Sequence, residues 1–314
     1  MVQIIEGTLD IDGASLFTKT WLPEGPAKAK MIMFHGFSDH VDRYYGFFPH
    51  LAERGIAVYG LDQRGWGRSA SKHSDKGKTG PTSRVLADMA AFIRTQLPSD
   101  VPVFVCGHSM GGGQVLTFAS TRLYDDLTAQ VRGWILESPF VGFAPELQPS
   151  GLLVASGRLA ARVLPHFKMY RPIPPEDVVR DPAVQASLRA DPLAHDYGTL
   201  EGLAGMLDRT EGLASGALAL SPAVRALFMA HGTADRATSF DRSREWFDRN
   251  RDRIPDARFK AFDGFAHQLH ADPGKEEFYE DVAAWILERS AAAAAAAADA
   301  ADTGPTKQGG GPHL

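Results

Sequence analysis

The sequence predicts an α/β protein in which helices cover both faces of a mostly parallel sheet. Short apolar segments rich in Val, Ile and Phe alternate with amphipathic segments of helical spacing, which is the pattern of repeated β-α-β units. One apolar segment runs directly into a serine flanked by glycines, with a helix-compatible run after it. The chain has 314 residues, of which 44% are hydrophobic, so it is long enough to bury a large core.

Composition excludes several classes of function. The net charge of −5 is mild and the acidic and basic residues are interleaved, so no nucleic-acid-binding face is expected. Cys106 is the single cysteine, which rules out an intrachain disulfide and any cysteine-rich metal site. The N-terminal residues lack the features of a secretion signal, and no apolar run approaches the ~18 residues of a membrane span. We expect a cytoplasmic enzyme without cofactor, metal or obligatory protein partner.

The N-terminal part of the chain contains six predicted strands. The first two alternate in polarity around the turn Asp12-Gly13 and form a hairpin. The other four are short apolar runs typical of buried strands. The six strands are 2–10, 14–22, 30–34, 56–61, 103–106 and 131–136. The helices expected between them are 42–54, 82–96 and 114–122.

The alternation stops after the sixth strand. Residues 141–222 contain only proline-punctuated helical segments, which predicts a helical cap over the C-terminal edge of the sheet. The segments are 152–164, 176–180, 182–188 and 200–213. The first is strongly apolar, with Leu152, Leu159 and Val163 among its residues. We favour a packed core for this face, and a lipid-facing surface remains the alternative.

Alternation resumes with predicted strands at 224–230 and 258–262 and helices at 240–250 and 275–288. An alanine run at 291–298 extends the last helix, and the Gly- and Pro-rich tail beyond Thr303 is expected to be disordered. The domain prediction is therefore a core of 1–140 and 223–289, a cap of 141–222, and a helix extension with a disordered tail at 290–314.

The segment around Ser109 carries the first chemical signal. It reads Gly-His-Ser-Met-Gly from Gly107 to Gly111, directly after a strand and before a helix. This G-x-S-x-G context is typical of the nucleophile elbow of an α/β-hydrolase, where a tight turn raises a serine above the sheet edge. The small neighbours allow the strand and the helix to approach each other closely.

A serine nucleophile needs a base, and the base needs an acid to orient it. In this fold they follow in the order serine, acid, histidine, on loops after later strands. Asp235 and His267 occupy such positions. Glu137, at the end of an earlier strand, is an alternative acid, and His270 is an alternative base.

The oxyanion that forms during ester cleavage needs two backbone N–H donors. One is the N–H of Met110, directly after the nucleophile, and the other is most simply that of Phe37 in the loop after the 30–34 strand. Since these are main-chain groups, a substitution of the Phe37 side chain would change the shape of the pocket more than the stabilisation of charge.

Five motifs in the same order resemble those of the monoglyceride lipase family, a branch of the α/β-hydrolases that includes lysophospholipase-like and serine-aminopeptidase-like members. They are HGFSDHVDRY (35–44), DQRGWG (62–67), GHSMGG (107–112), HGTADR (231–236) and HQLH (267–270). The resemblance extends over about residues 5–289, including RADPL (189–193) in the cap.

This resemblance implies cleavage of a monoacylglycerol to fatty acid and glycerol, with Ser109, Asp235 and His267 as the triad. It gives Phe37 and Met110 the oxyanion roles. Asp39, Arg43 and His270 match positions associated with the glycerol end of the substrate. The chain departs from the family pattern at Ser38-Asp39, where members often have Gly-Glu, and at Leu188, where some have tyrosine.

The leading hypothesis is a serine carboxylester hydrolase that acts on medium- or long-chain monoacylglycerols through an acyl-enzyme. The alternatives are an acyltransferase or a hydrolase of another small ester or amide, such as a lysophospholipid or an aminoacyl amide, and a non-catalytic ligand-binding homologue. The apolar cap around 150–167 also predicts transient contact with a membrane or lipid-droplet surface.

Overall fold

A computed structural model describes residues 1–302 of the chain, except for the side chains of residues 146, 294 and 296–302. Ten strands lie within this part of the chain. They are β1 (Gln3–Ile11), β2 (Ala14–Leu22), β3 (Ala29–Phe34), β4 (Ile56–Leu61), β5 (Val103–His108), β6 (Gly133–Glu137), β7 (Lys168–Tyr170), β8 (Tyr197–Thr199), β9 (Ala226–Gly232) and β10 (Asp256–Phe262). The predicted disordered tail beyond Thr303 lies outside the described residues.

Eight of these strands form the central sheet, in the order β1-β2-β4-β3-β5-β6-β9-β10. Strand β2 is antiparallel to both of its neighbours, and the other adjacent strands are parallel. The carboxyl ends of β5, β6 and β9 are in register, since Gly107 pairs with Leu136 and Leu136 pairs with Met229. The loops that follow these strands therefore meet at one edge of the sheet.

Helices cover both faces of this sheet. In chain order the α-helices of residues 1–302 are α1 (Phe47–Glu53), α2 (Thr82–Arg94), α3 (Met110–Ala119), α4 (Asp125–Thr128), α5 (Gly151–Val163), α6 (Pro175–Val178), α7 (Pro182–Ala190), α8 (Leu200–Ser215), α9 (Phe240–Asn250) and α10 (Glu276–Asp302). None of them combines the length and the hydropathy that a membrane span requires.

The side chains of β3 show how the two faces are filled. Ile32 and Phe34 belong to a buried cluster with residues of α2, α3 and α9, while Met31 and Met33 belong to a second cluster with residues of α1 and α10. Successive side chains of a strand point to opposite faces, so a continuous apolar run is what a sheet covered on both sides requires. The predicted fold class is confirmed.

The bounds of two helices differ from those predicted from the sequence. The helix expected at 42–54 is interrupted: a single 3-10 turn, Val41–Tyr44, precedes α1, because Tyr45 has a φ of +41° and cannot continue a helix. The helix expected to begin at Gln114 begins at Met110 instead. Glycine has a low helix propensity, but tertiary packing overrides it at residues 111–113, which lie within α3.

The segment between β6 and β9 also differs from expectation in two respects. It contains strands as well as helices, because β7 and β8 form a small antiparallel sheet. The packed-core interpretation of its first helix is wrong. No residue of α5 is buried, and Leu152, Leu159 and Val163 are 82%, 64% and 73% exposed. Helix α5 packs against α8 and leaves its most apolar side uncovered.

Candidate active site

Ser109 lies on the sharp turn between β5 and α3. Its φ of +53° is one that residues with a side chain rarely adopt. The turn is held by three backbone hydrogen bonds: Ser109 N–H donates to the Glu137 carbonyl (3.0 Å), and the Ser109 carbonyl accepts from the N–H groups of Gly113 (3.1 Å) and Phe140 (2.9 Å). Strain of this kind persists only where surrounding contacts over-determine it.

The glycines next to Ser109 allow backbones to approach. A Cβ atom at Gly111 would lie 2.1 Å from the Phe34 carbonyl oxygen, and one at Gly107 would lie 2.6 Å from the Gly111 oxygen. A side chain at either position would therefore push α3 away from β3 and β5. This is the spatial reason for the two outer glycines of the G-x-S-x-G pattern.

The loops after β9 and β10 bring Asp235 and His267 together. His267 Nδ1 lies 2.7 Å from Asp235 Oδ2, and both side chains are buried. Asp235 Oδ1 accepts hydrogen bonds from the N–H groups of Ala237 (2.8 Å) and Thr238 (2.9 Å), and the Thr238 hydroxyl donates to Oδ2 (2.8 Å). These bonds fix the carboxylate in one orientation.

The charge state of this pair follows from its surroundings. Burial works to raise the pKa of Asp235, but His267 and His231 beside it outweigh burial and hold that pKa well below its usual range. The carboxylate is therefore ionised at neutral pH and can only accept. His267 Nδ1 must then carry the proton, which leaves a lone pair on Nε2.

Glu137, the alternative acid, has another partner. Its Oε1 accepts from the N–H of His270 (3.0 Å) and from His270 Nδ1 (2.7 Å). The structure therefore joins Asp235, and not Glu137, to His267. The ligand atoms of His108, Glu137 and His270 lie within 4.8 Å of one another, as in a metal site, but a hydrogen bond already joins two of the three.

Ser109 and His267 line the same cavity, which has a volume of about 550 Å³. A cavity of this size suits a small organic ligand. One wall is apolar and comes from the segment between β6 and β9: Pro172, Ile173, Pro174, Pro175, Val178 and Leu188. Polar side chains line another part: Asp39, Lys76, Arg189, Asp191, His195 and Asp196.

The two predicted oxyanion residues lie beside the nucleophile. Phe37 lines the cavity, and a Cβ atom at the preceding Gly36 would lie 3.2 Å from Ser109 Cβ. The Phe37 ring packs edge-on against Trp66, with ring centroids 4.7 Å apart. Met110 is the first residue of α3, so its N–H has no acceptor inside that helix.

Comparison with known proteins identifies the family. The family described as "Serine aminopeptidase, S33" matches residues 25–274. A protein of Schizosaccharomyces pombe named "Putative monoglyceride lipase" is 34% identical over 283 residues, which are 88% of this chain and 72% of that protein. This chain belongs to the monoglyceride lipase family. The resemblance inferred from the motifs is confirmed, and the chain is a serine ester hydrolase.

Other members of the monoglyceride lipase family support this placement. The "Monoacylglycerol lipase" of Mycolicibacterium smegmatis is 29% identical over 281 residues, covering 88% of this chain and 94% of that protein. A crystal structure of a soluble variant of monoglyceride lipase from Saccharomyces cerevisiae superimposes with a TM-score of 0.79 at 19% identity, covering 90% of this chain and 94% of that one. At that identity the match shows the fold.

The three residues that match the family's glycerol positions lie in different surroundings. Asp39 lines the cavity and accepts from the Tyr44 hydroxyl (2.9 Å). Arg43 and His270 are buried and are not among the residues that line the cavity described above. Arg43 donates to Asp191 (2.9 Å), and His270 is bound to Glu137. Asp39 is therefore the member of this set that lines the cavity.

Sequence reasoning missed two groups that the structure places at the site. Thr238 orients Asp235, and the spacing of an aspartate and a threonine three residues later is a local signal that could have shown it. His195 stacks on Trp66 at 4.8 Å and donates from Nε2 to the Gly65 carbonyl (2.9 Å). Burial lowers the pKa of His195 to about 4, so its ring is neutral at pH 7. No local pattern marked His195.

Proposed function

We propose that this enzyme hydrolyses monoacylglycerols to fatty acid and glycerol, with Ser109 as nucleophile, His267 as base and Asp235 as the acid that orients it. The observation that carries the proposal is the buried 2.7 Å contact between His267 and Asp235, at the edge of the cavity that Ser109 also lines. The names of the relatives support the substrate class.

The proposed reaction has two halves. His267 Nε2 takes the proton from Ser109 Oγ as the oxygen attacks the ester carbonyl, and the N–H groups of Phe37 and Met110 bind the oxyanion. The ester bond then breaks, and glycerol leaves with the proton from His267. A water molecule, deprotonated by His267, attacks the acyl-enzyme, and Ser109 departs with that proton as the fatty acid is released.

The two walls of the cavity support this choice of substrate. The apolar wall, which includes Ile173 and Leu188, offers the acyl chain a surface out of water, and each buried CH₂ contributes about 0.8 kcal/mol. Asp39 and Asp196 offer acceptors to the glycerol hydroxyls. An aminoacyl amide or a short ester would leave the apolar wall uncovered.

A panel of substrates tests the proposal. We expect kcat/KM for monoolein to exceed that for p-nitrophenyl acetate and leucine p-nitroanilide by about 10-fold or more, since loss of even one methylene contact costs about that much. We expect the same preference over lysophosphatidylcholine, because its phosphate would lie near the carboxylates of Asp39 and Asp196. Glycerol and fatty acid are quantified by mass spectrometry. Preference for the amide, or acyl transfer to an added alcohol in excess of hydrolysis, would favour the alternatives instead.

The exposed side of α5 supports a further part of the proposal, reversible contact of a cytoplasmic enzyme with a membrane or lipid-droplet surface. Leu152, Leu159 and Val163 are largely exposed there. Residues 147–171 also contain four cationic side chains and no acidic one, although the net charge of the chain is −5. Arg158 is paired with Asp208 and Glu211 of α8, so the positive charge available to a lipid surface comes from Arg162, Lys168 and Arg171. An apolar ridge flanked by cations suits a lipid surface that carries anionic headgroups.

Vesicle flotation tests this contact. We expect the triple variant L152S/L159S/V163S to lose binding to vesicles of phosphatidylcholine and phosphatidylglycerol by at least about 100-fold, because each buried apolar side chain contributes about 1.5 kcal/mol or more. The matched control is L123S, since Leu123 is 76% exposed but lies outside this segment. Equal loss in both variants, or no binding by the unaltered protein, would refute membrane contact through α5.

A further inference from the structure

A second acid–imidazole pair lies behind the proposed triad. Glu137 and His270 are both fully buried, and His270 donates to Glu137 Oε1 from its backbone N–H (3.0 Å) and from Nδ1 (2.7 Å). Neither residue lines the cavity. The pair is thus placed to act on the catalytic groups and not on a ligand.

Glu137 contacts two parts of the proposed machinery at once. Its backbone carbonyl accepts the N–H of Ser109 (3.0 Å) and so helps to hold the strained turn at the nucleophile. Its side chain holds His270, three residues after His267. One residue at the end of β6 therefore links the nucleophile turn to the loop that carries the base.

His270 makes a third connection on its other side. Its ring stacks on Tyr44, with centroids 4.4 Å apart, and the Tyr44 hydroxyl donates to Asp39 Oδ2 (2.9 Å). The same oxygen accepts the N–H of Gly36 (3.4 Å) in the oxyanion loop. The Tyr279 hydroxyl donates to the His270 carbonyl (2.7 Å), which also holds the His270 backbone in place.

The charge on Glu137 gives the pair its strength. Burial works to raise the pKa of Glu137, but His270 beside it, with its two hydrogen bonds to the carboxylate, outweighs burial and holds that pKa below its usual value. Burial also lowers the pKa of His108 to about 3, so His108 is neutral at pH 7. The hydrogen bonds from His270 are then the main compensation for a buried carboxylate, and such bonds are costly to lose.

We propose that Glu137 and His270 are a positioning pair, which sets the placement of His267 against Ser109 and the oxyanion loop, and that His270 does not contact the glycerol moiety. The inference rests on the proposed function, because it takes Ser109 and His267 as the reacting groups.

Two variants of His270 separate positioning from substrate contact. In H270N the side-chain amide lies where Nδ1 was and can still donate to Glu137. In H270Q the amide reaches the position of Nε2 instead, so the side-chain bond to Glu137 is lost and the backbone N–H bond stays. Each variant is assayed with monoolein and with methyl oleate, which share the acyl chain but differ in the alcohol.

For positioning, we expect H270Q to lower kcat by about 10- to 100-fold for both esters with KM changed by less than about 3-fold, because a displacement near 1 Å costs up to about 100-fold in rate. H270N should keep at least about a fifth of the unaltered kcat, a rescue that requires the Nδ1 donor. A loss confined to monoolein, a loss in H270N as large as in H270Q, or no loss in H270Q would each overturn the proposal.

In H270Q the buried Glu137 carboxylate keeps only the backbone N–H of residue 270 of its two bonds from that residue, which is expected to destabilise the fold, so the double variant E137Q/H270Q is measured beside it. Far-UV circular dichroism and stoichiometric labelling of Ser109 by a fluorophosphonate report on folding. If the double variant is folded and has unaltered kcat for both esters, the proposal is wrong. Failure of the proposed function would look different: the unaltered protein would then fail to cleave monoolein, or would cleave both esters without Ser109.

Discussion

The variant S109A is expected to lose hydrolysis of monoolein and of p-nitrophenyl butyrate, with kcat/KM lower by about 10⁴- to 10⁶-fold. In the proposed mechanism the hydroxyl oxygen at this turn forms the acyl-enzyme, and the methyl group of alanine cannot replace it. The proposed oxyanion donors are backbone groups, so they should stay in place and account for the activity that remains. The measurement is steady-state kinetics together with labelling by a fluorophosphonate, which should also disappear.

Ser120 provides the matched control for this variant. It follows α3 directly, and its hydroxyl donates to the Leu116 carbonyl (2.8 Å), away from the cavity. We expect S120A to keep kcat/KM within about 2-fold, as is usual for a change away from the reacting groups. Retained esterase activity and retained labelling in a folded S109A protein would remove the central assignment.

The variant D235N is expected to lower kcat by about 10⁴-fold while the fold is preserved. The amide oxygen can still accept the N–H groups of Ala237 and Thr238, so the loop should hold its shape. The amide NH₂, however, would donate to His267 Nδ1 and force the proton onto Nε2. That tautomer has no lone pair for Ser109, which is the physical reason for so large an effect.

Two further variants are compared with D235N. D263N is the surface control, because Asp263 is exposed on the loop after β10 and accepts from the Thr233 hydroxyl (3.1 Å). We expect less than about a 2-fold change. E137Q should lower kcat by no more than about 10-fold, since a glutamine oxygen still accepts from His270. A loss in E137Q that equals or exceeds the loss in D235N would return the acid role to Glu137.

Local pattern was sufficient for most of the sheet. Strands β3, β4 and β5 are continuous apolar runs, and short runs of that kind are typical of a buried strand. The start of α3 was missed because glycine has low helix propensity, and only the approach of the Phe34 carbonyl to Gly111 explains why glycine is there. The break before α1 depended on the backbone angle of Tyr45, which no periodicity reveals.

The segment between β6 and β9 was also predicted in part. Proline spacing marked it as different from the core, but the sequence could not decide what α5 packs against. Its leucines and valine have the helical spacing of a buried face, and burial depends on whether another element covers them. In the structure α8 covers just one side of α5, and the apolar side of α5 remains exposed.

Chain order and local motifs were enough to nominate Ser109, Asp235 and His267, because in this fold each lies directly after a strand of known direction. The same motifs nominated Arg43 and His270 as ligand contacts, and there the spatial arrangement differs. Asp191 lies 148 residues from Arg43, and Glu137 lies 133 residues from His270. Hydrogen bonds between residues so far apart in the chain depend on how the sheet brings loops together. The sequence alone therefore specified which chemical groups are present. Only the folded arrangement decided which of these groups line the cavity and which hold other groups in place.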